Sequence, residues 1–333
     1  MKVWELGEFG LIELISRIVG KPSREELILG IGDDTAAWRT GKSIQLATTD
    51  ILIQDVHFNL DTATWRDLGW KAIAVNISDI AAMGGTPSYV MVSLGLPPDT
   101  EVTSVRELYR GIKDIAKKFD IDIVGGNISR APVVVIDVSL IGKASQTLLT
   151  RSAAKSSDQI AVTGYLGTSA AGCRMLKSSL KQDRNTTALL KEAHLRPNPR
   201  VVEGQILAKN GVQAAIDISD GLISDLTHIC KASKVGAKVW IDRLPVHPSV
   251  KAAFKDEAMG MALSGGEDYE LLFTAKSSVI NKVRGIMSTP LTVIGEITRE
   301  HSGQVTLLDE QGIALDWKER GWDHFRSQGQ GKA

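Results

Sequence analysis

The chain has 333 residues, 43% of them apolar, and its 39 Lys and Arg residues balance its 39 Asp and Glu residues. This length predicts roughly two domains with real cores, and the balanced charge argues against nucleic acid or an anionic membrane surface as a partner. The two cysteines provide neither a disulfide framework nor a cysteine-rich zinc site. The start lacks the pattern of a signal peptide, and no apolar run approaches the ~20 residues that span a bilayer, so we expect a cytoplasmic protein.

The first half of the chain combines helical periodicity with short apolar runs. Helices are predicted over 5–19, 64–83 and 105–119, and strands over 28–38, 43–50, 89–96, 121–124 and 133–141. The second helix ends at Gly84-Gly85, with Pro87 beyond as a stop signal. Residues 36–43, AAWRTGKS, match a phosphate-binding P-loop with one substitution. Because a strand pattern follows where a P-loop requires a helix, we predict a hairpin turn there.

The second half continues with mixed elements. Strands are predicted over 159–163, 214–218, 271–274, 291–297 and 305–308, and helices over 169–176 and 221–233. The polar stretch 177–200 predicts a helix that leads into a loop. Hairpins mixed with crossover connections favour an α+β fold over a strictly alternating parallel sheet. We therefore expect two domains, a mixed-sheet N-terminal domain at 1–148 and an α+β domain at 149–333.

Five short acidic clusters are the most informative feature of the chain. They are GDDT at 32–35, TTD at 48–50, NISD at 76–79, DISDG at 217–221 and GGEDYE at 265–270. Carboxylates gathered at the ends of apolar stretches are costly unless a cation lies among them. Hard oxygen ligands suit Mg²⁺, and Mg²⁺ held by few protein carboxylates usually accompanies a phosphate substrate. The clusters therefore predict a metal-dependent enzyme that acts on phosphate groups.

Each cluster by itself also has a plain structural explanation. GDDT is typical of an Asp-rich turn, and DISDG is typical of a helix N-cap formed by Ser219 or Asp220. Asp79 differs, since it lies on an apolar helical stretch, where Asp is rarely buried unless it is paired or metal-bound. From the residues alone, His57 has two possible roles: a hydrogen-bond donor to phosphate, or a structural histidine.

The ordered set of motifs is far more specific than any one of them. The motifs are GIGDDTA at 30–36, LATTDILIQDVHF at 46–58, VNISDIAAMGGTP at 75–87, DISDGL at 217–222 and SGGEDYELLF at 264–273. From GEFGLIELI at 7–15 to GWDHF at 321–325, the chain resembles the thiamine-monophosphate kinase family. This family belongs to the ATP-binding superfamily of aminoimidazole ribonucleotide synthetase, selenophosphate synthetase and HypE. The resemblance implies transfer of the γ-phosphate of ATP to thiamine monophosphate, with several Mg²⁺ ions and a homodimer formed through the N-terminal sheet.

The resemblance also implies roles for the matching residues. Those that resemble Mg²⁺ ligands are Asp33, Thr48, Thr49, Asp50, Asp79, Asn127, Asp217 and Asp220. Those that resemble ATP contacts are Tyr109, Gly126, Asn127, Arg151 and Ser219, and those that resemble contacts to thiamine monophosphate are His57, Glu267 and Trp322. No catalytic acid or base is expected, because the acceptor phosphate is already ionised near neutral pH and phosphoryl transfer depends on positioning and charge neutralisation.

Asn127 departs from the family pattern. The family usually has Gly-Gly-Asp-Thr where this chain has Gly-Gly-Asn-Ile at 125–128, so we expect a raised Mg²⁺ requirement. Two alternatives stay open: another ATP-dependent member of the superfamily, and a nucleotide-binding homologue with impaired catalysis. The lack of a Cys before Cys173, and a final RSQGQGKA without Cys, argue against relatives of selenophosphate synthetase and HypE. Asn127 alone favours the impaired homologue.

Overall fold

The computed structural model describes residues 2–20, 24–145, 147–178, 180 and 182–317. Its helices are α1 (Val3–Val19), α2 (Trp65–Ala82), α3 (Val102–Phe119), α4 (Thr168–Lys177), α5 (Arg184–Leu195), α6 (Val201–Lys209), α7 (Leu222–Ser233), α8 (Pro248–Phe254), α9 (Glu257–Ser264) and α10 (Ser277–Arg284). Its strands are β1 (Leu27–Leu29), β2 (Ala36–Thr40), β3 (Ser43–Ile53), β4 (Thr86–Leu96), β5 (Asp122–Arg130), β6 (Val135–Ala144), β7 (Gln159–Thr163), β8 (Ala214–Asp217), β9 (Gly236–Trp240), β10 (Leu271–Ala275), β11 (Leu291–Thr298), β12 (Val305–Leu308) and β13 (Ala314–Leu315). None of these helices is long and apolar enough to cross a membrane.

The strands form one sheet in each half of the chain. The first sheet has six strands in the order β1-β2-β3-β6-β4-β5, and the second has seven in the order β13-β12-β9-β11-β7-β10-β8. The pairs β4–β5 and β9–β12 are parallel, while the other paired strands are antiparallel. Two mixed sheets with packed helices confirm the predicted two-domain α+β fold.

Helices α2 and α3 cover one face of the six-stranded sheet. Strand β6 shows why: Ile136, Val138 and Leu140 alternate along it and are fully buried, whereas the residues between them are partly exposed. Helix α2 is buried on nearly every side, because it also contacts α6 and β8 of the second half. Its last turns, which carry Asp79, therefore lie where the two halves meet.

The opposite face of this sheet is not covered by a helix in the described part of the chain. Ile51, Tyr89 and Met91 are exposed by 46%, 49% and 40%. The edge strand β5 is exposed along its whole length. An exposed apolar sheet face beside an exposed edge strand is a typical surface for a protein partner.

Two glycines allow α2 and α3 to approach each other closely. A Cβ atom on Gly69 of α2 would lie 2.0 Å from the Leu108 carbonyl oxygen. One on Gly111 of α3 would lie 1.9 Å from the Arg66 carbonyl oxygen. Neither position accepts a side chain unless the helix backbones move apart.

We expect Gly111→Ala to destabilise the fold by at least ~2 kcal/mol, because the added methyl group overpacks the α2–α3 contact. Gly10→Ala in α1 is the matched control, since its Cβ would lie no closer than 3.4 Å to Leu6. Ala is favoured over Gly inside a helix by ~1 kcal/mol, so the control is expected to be neutral or stabilising. Thermal denaturation measures the stability of both variants. A Gly111→Ala protein with the melting temperature of the wild type would contradict the close approach of α2 and α3.

The first predicted strand, 28–38, is two strands in the structure. The GDDT segment separates β1 from β2, and Gly32 has φ of 123°, a backbone conformation that side chains disfavour. The hairpin prediction for 36–43 is confirmed, because Thr40 pairs with Ser43 across the turn at Gly41. The P-loop alternative is therefore excluded.

One further strand differs from the prediction, and one predicted helix is present. Strand β5 does not end at Val124 but continues through the Gly-Gly-Asn segment, because parallel pairing with β4 satisfies that backbone up to Arg130. In the polar stretch 177–200, the helix is α5, and the side chain of Asp183 accepts hydrogen bonds from its first backbone N–H groups.

Candidate active site

Three carboxylates from both halves of the molecule meet at one place. Asp34 lies between β1 and β2, Asp79 lies near the end of α2, and Asp217 ends β8. Each offers an oxygen atom, and these atoms all lie within 4.8 Å of one another. Asp34 Oδ2 is buried and has no hydrogen-bond partner among the described residues. We call Asp34, Asp79 and Asp217 the carboxylate cluster.

Strand β3 adds Thr48 and Asp50 to the surroundings of the cluster. Asp50 lies opposite the fully buried Val138, so its side chain points to the helix-covered face of the sheet. Asp79, whose ionisation Asp50 opposes, accepts a hydrogen bond from the Thr48 hydroxyl.

Burial and mutual repulsion oppose ionisation of these carboxyl groups. Burial, with Asp137 next in effect, raises the pKa of Asp50 to about 6. Burial, with Asp34 next, raises the pKa of Asp217 to about 7. Burial followed by Asp50 raises the pKa of Asp79 well above its ordinary value. Perturbed carboxyl groups of this kind concentrate at functional sites.

Arg151, at the start of the second half, supplies positive charge to the cluster. Its guanidinium is paired with Asp34, and its backbone N–H donates to Asp33 Oδ2 at 3.2 Å. Ser78 Oγ donates to Asp217 Oδ2 at 2.6 Å. One guanidinium does not balance this many carboxylates, and the remaining oxygens are the hard ligands that Mg²⁺ prefers. The residues present therefore fit a divalent cation.

Thr49 and Asn127 lie on the other face of the N-terminal sheet. Asn127 is opposite Ser93, Ser93 is opposite Asp137, and Asp137 is opposite the exposed Ile51. Thr49 Oγ1 donates to the Val138 carbonyl oxygen at 3.0 Å and to Asp137 Oδ1 at 3.3 Å. The structure therefore places these two side chains on the same face as Asp137, opposite the carboxylate cluster, and of the two only Thr49 contacts Asp137 in the described part of the chain.

Besides Asn127, two residues matched to ATP contacts belong to the N-terminal half. A Cβ on Gly126 would lie 1.8 Å from the Val92 carbonyl oxygen, so this position on β5 requires glycine. Tyr109 is half-buried on α3, where it packs against the N-terminal core. Burial raises the pKa of its hydroxyl.

Asp220 lies in a second acidic group, next to Asp225 and His228 of α7. Their ligand atoms also lie within 4.8 Å of one another. Asp225 Oδ2 accepts the N–H of Asp220 at 3.2 Å and the N–H of Gly221 at 3.1 Å, which caps the start of α7. The ring of His228 packs on Phe9 of α1, with ring centres 4.4 Å apart. The structure thus groups Asp220 with Asp225 and His228 rather than with the three members of the carboxylate cluster.

Glu267 is held by charged and polar partners from both halves. Its Oε1 lies 2.7 Å from Lys71 Nζ, and its Oε2 lies 3.2 Å from His194 Nδ1. Its backbone N–H donates to the Ser219 carbonyl oxygen at 2.7 Å. Burial opposes ionisation of Glu267, but Lys71 and His194 hold the pKa of its carboxyl below the ordinary value. We call Lys71, His194 and Glu267 the Glu267 network.

Tyr269 is buried and responds to charges of both the Glu267 network and the carboxylate cluster. Its N–H donates to the Ile218 carbonyl oxygen at 2.9 Å. Burial raises the pKa of its hydroxyl well above the ordinary value, and the carboxylates of Glu267, Asp50 and Asp217 add to this effect. Carboxylates of both the Glu267 network and the carboxylate cluster therefore act on one hydroxyl group. The two groups are neighbouring parts of one site.

His57 lies in the turn after β3. Its Nδ1 accepts the N–H of Ile53 at 3.0 Å, so the proton of the neutral ring lies on Nε2. The third residue matched to substrate contacts, Trp322, lies outside the described residues.

Sequence analysis missed three residues of this site. Asp34 stands inside the GDDT motif, where Asp33 was chosen instead. Lys71 occurs in the apolar stretch of α2, and a charged residue in such a stretch is the same signal that marks Asp79. His194 lies in a polar helix and carries no signal in the sequence, because its contact with Glu267 depends on tertiary packing alone.

The fold and the site define the chain as an AIR synthase related protein. The family model of the AIR synthase related protein N-terminal domain matches residues 32–144, and that of the C-terminal domain matches residues 155–308.

Within this class, the chain belongs to the thiamine-monophosphate kinase family. It is 39% identical over 332 residues to the thiamine-monophosphate kinase of Escherichia coli strain K12, covering 96% of this chain and 98% of that protein. The thiamine-monophosphate kinase of Aquifex aeolicus is 35% identical over 328 residues, covering 98% of this chain and 100% of that protein. These matches confirm the resemblance inferred from the motifs.

Solved structures agree with this assignment. AaThiL complexed with AMPPCP and TMP matches with a TM-score of 0.86 at 34% identity, covering 97% of this chain and 99% of that one. Thiamine-monophosphate kinase from Stenotrophomonas maltophilia K279a matches with a TM-score of 0.75 at 33% identity, covering 91% and 96%. The hydrogenase maturation protein HypE in complex with ATP, at 16% identity and a TM-score of 0.67, shares the fold alone.

Proposed function

We propose that this chain transfers the γ-phosphate of ATP to thiamine monophosphate and forms thiamine diphosphate. The carboxylate cluster carries this proposal, because both halves supply buried negative charge at one place, where cations and phosphates are the natural ligands. Relatives of full length are thiamine-monophosphate kinases, and AaThiL is complexed with AMPPCP and TMP.

We infer that the carboxylate cluster and Asp50 hold Mg²⁺, with Asp33 and Asp220 as further ligands. Bound Mg²⁺ would neutralise charge on the phosphate groups and offset the repulsion among these carboxylates. The chain's own residues fix the ligands: Ser78 orients Asp217, and the Thr48 hydroxyl orients Asp79. Thr49 and Asn127 are proposed as ligands on the other side of β3 and β5.

The remaining matched residues position the two substrates. We assign ATP contacts to Tyr109, Gly126, Asn127, Arg151 and Ser219. His57, with its proton on Nε2, donates to the acceptor phosphate, and Glu267 and Trp322 contact the thiamine. Transfer is direct and in line, since an ionised phosphate oxygen needs no general base.

The test is an assay with ATP, Mg²⁺ and thiamine monophosphate, in which phosphorus NMR follows the formation of thiamine diphosphate. We expect one thiamine diphosphate for each ADP formed. ATP binding measured by calorimetry without formation of thiamine diphosphate would reject the proposed function in favour of the impaired homologue.

We expect Asn127→Asp to lower the Mg²⁺ concentration for half-maximal rate roughly tenfold, since it adds a carboxylate ligand. Ser129→Asp is the matched control, because it adds the same charge on β5 two residues further along. Initial rates across a Mg²⁺ titration measure both variants. An unchanged Mg²⁺ dependence in Asn127→Asp, or an equal shift in Ser129→Asp, would contradict a ligand role for residue 127.

We further propose a homodimer formed through the open face of the N-terminal sheet, and a cytoplasmic location, where ATP is available. The exposed side chains of Ile51, Tyr89 and Met91 on this face support the dimer. Met91→Glu would then yield monomers in analytical ultracentrifugation, whereas a monomeric wild type would reject the proposal. We keep the domain boundary between residues 148 and 149, which lies between the two matched spans.

A further inference from the structure

The Glu267 network joins a buried lysine and a histidine to one glutamate. Lys71 has a side chain that is only 3% exposed, yet it points at Glu267 rather than into solvent. A buried ammonium group is stable only when it is paired with an opposite charge. Lys71 and Glu267 therefore hold each other's side chains in place. Both oxygens of the carboxylate are engaged, one by α2 and the other by α5.

The backbone of Glu267 is fixed as firmly as its side chain. Its φ of 56° lies in the left-handed region, which a residue other than glycine enters at a cost of about 1 kcal/mol or more. The preceding Gly266 has no room for a side chain, since a Cβ there would lie 2.6 Å from the Ser219 carbonyl oxygen. Strain of this kind persists where the surroundings determine one conformation, and it is concentrated at functional sites.

The exposure of the Glu267 side chain distinguishes the Glu267 network from an ion pair that only supports the fold. The Glu270 carboxylate, paired with Arg200, has a side chain that is 7% exposed. The Glu267 side chain is 33% exposed although both of its oxygens are engaged. A carboxylate accepts more than two hydrogen bonds, so one side of Glu267 stays open to a ligand while the other side is held.

His194 contributes a donor and no charge. Burial, with Lys71 next in effect, lowers the pKa of His194 to about 4, so its ring is neutral at pH 7. Nδ1 lies 3.2 Å from Glu267 Oε2 and 3.0 Å from Ser169 Oγ, and in the tautomer with the proton on Nδ1 the ring is a donor to Glu267, which only accepts. Lys71 therefore stabilises the negative charge of Glu267, and His194 restricts the orientation of its carboxylate.

We propose that Lys71 and His194 are positioning residues that hold Glu267 as an ionised carboxylate in one orientation, aimed at the cationic or N–H-bearing part of the acceptor. This inference rests on the proposed function, in which Glu267 contacts the thiamine. It predicts that both residues govern affinity for thiamine monophosphate and leave affinity for the nucleotide unchanged.

The experiment measures binding of thiamine monophosphate and of Mg-ADP separately by calorimetry, together with KM and kcat. Lys71→Met should weaken thiamine monophosphate binding roughly 10- to 100-fold, the loss expected for one charged hydrogen bond. Lys71→Arg should restore most of it. Mg-ADP binding and kcat at saturating thiamine monophosphate should change less than about threefold.

His194 offers a second pair of variants that does not depend on the buried lysine. His194→Asn keeps a nitrogen donor near the position of Nδ1, whereas His194→Leu removes it. The Leu variant should raise the KM for thiamine monophosphate about tenfold, and the Asn variant should stay near the wild type. Arg66→Met, on the same helix as Lys71 but in an exposed pair with Asp114, is the control.

The outcomes separate this inference from the proposed function. An active wild type whose Lys71→Met and His194→Leu variants keep their affinity for thiamine monophosphate would overturn the inference alone. Equal losses for thiamine monophosphate and Mg-ADP, in parallel with a lower melting temperature, would also overturn it, since they indicate a role in the fold. If Lys71→Met does not fold, the His194 pair decides. A wild type that neither binds nor phosphorylates thiamine monophosphate would reject both.

Discussion

Replacing Asp217 with Asn is expected to lower kcat for phosphorylation of thiamine monophosphate by on the order of 10³-fold. Asn has the shape of Asp but lacks the charge that a divalent cation requires. Asp217 accepts from Ser78 and shares the carboxylate cluster with Asp34 and Asp79, so no other group replaces its oxygen there. Initial rates at saturating Mg²⁺ and ATP measure the loss.

The same substitution is expected to stabilise the metal-free protein at alkaline pH. Burial, followed by Asp34, raises the pKa of Asp217 from its ordinary 3.8 to about 7. Because the folded state binds this proton more tightly than the unfolded state, the stability contributed by Asp217 falls as the pH rises from about 4 to about 7. In EDTA, Asp217→Asn should therefore melt above the wild type at pH 8, whereas the difference should be much smaller at pH 5 and nearly vanish at pH 4.

Added Mg²⁺ should reverse the order at pH 8, because it stabilises the wild type by mass action and the variant much less. Asp99→Asn, at an exposed position after β4, is the control and should follow the wild type under all these conditions. A variant that keeps its activity would exclude Asp217 from the metal site. A variant that melts below the wild type in EDTA at pH 8 would show that the carboxylate supports the fold without a cation.

Much of the fold was predictable because local signals agree with the tertiary structure. Apolar periodicity located α2, with its end at Gly84-Gly85, and alternation located β3 and β6. The continuous strand β5 was not predictable, since glycines usually end a strand, and here the parallel partner β4 supplies the hydrogen bonds. Short elements such as α8, α9 and β9 were missed because a few residues do not establish a period.

The site was predictable where a residue conflicts with its surroundings. Asp79 in an apolar helix pointed to the carboxylate cluster, and Lys71 in the same helix carried the same kind of signal. What the sequence does not contain is the direction of side chains across a sheet. Thr49 and Asp50 are adjacent in one motif, yet strand alternation sends Asp50 to the cluster and Thr49 to the opposite face.

The second large effect is expected in the fold of the C-terminal half, at Arg200. Its guanidinium donates to Glu270 Oε2 at 2.6 Å and is also paired with Oε1. Thr163 Oγ1 donates to the same carboxylate at 2.7 Å, and a Cβ on Gly164 would lie 2.0 Å from its Oε1. Among the described residues, Arg200 and Thr163 are the side chains that donate to this carboxylate, which is almost fully buried.

Arg200→Leu should therefore destabilise the protein by about 3–5 kcal/mol, because it leaves the buried charge of Glu270 without its cation. A melting temperature lower by about 10 °C is expected. Arg66→Leu is the matched control, since it breaks an arginine–carboxylate pair whose side chains are 47% and 40% exposed, and such pairs contribute about 0–1 kcal/mol. The double variant Arg200→Leu with Glu270→Gln should recover part of the loss, because it removes the stranded charge. Equal shifts for Arg200→Leu and Arg66→Leu would show that burial does not set the strength of the Arg200–Glu270 pair.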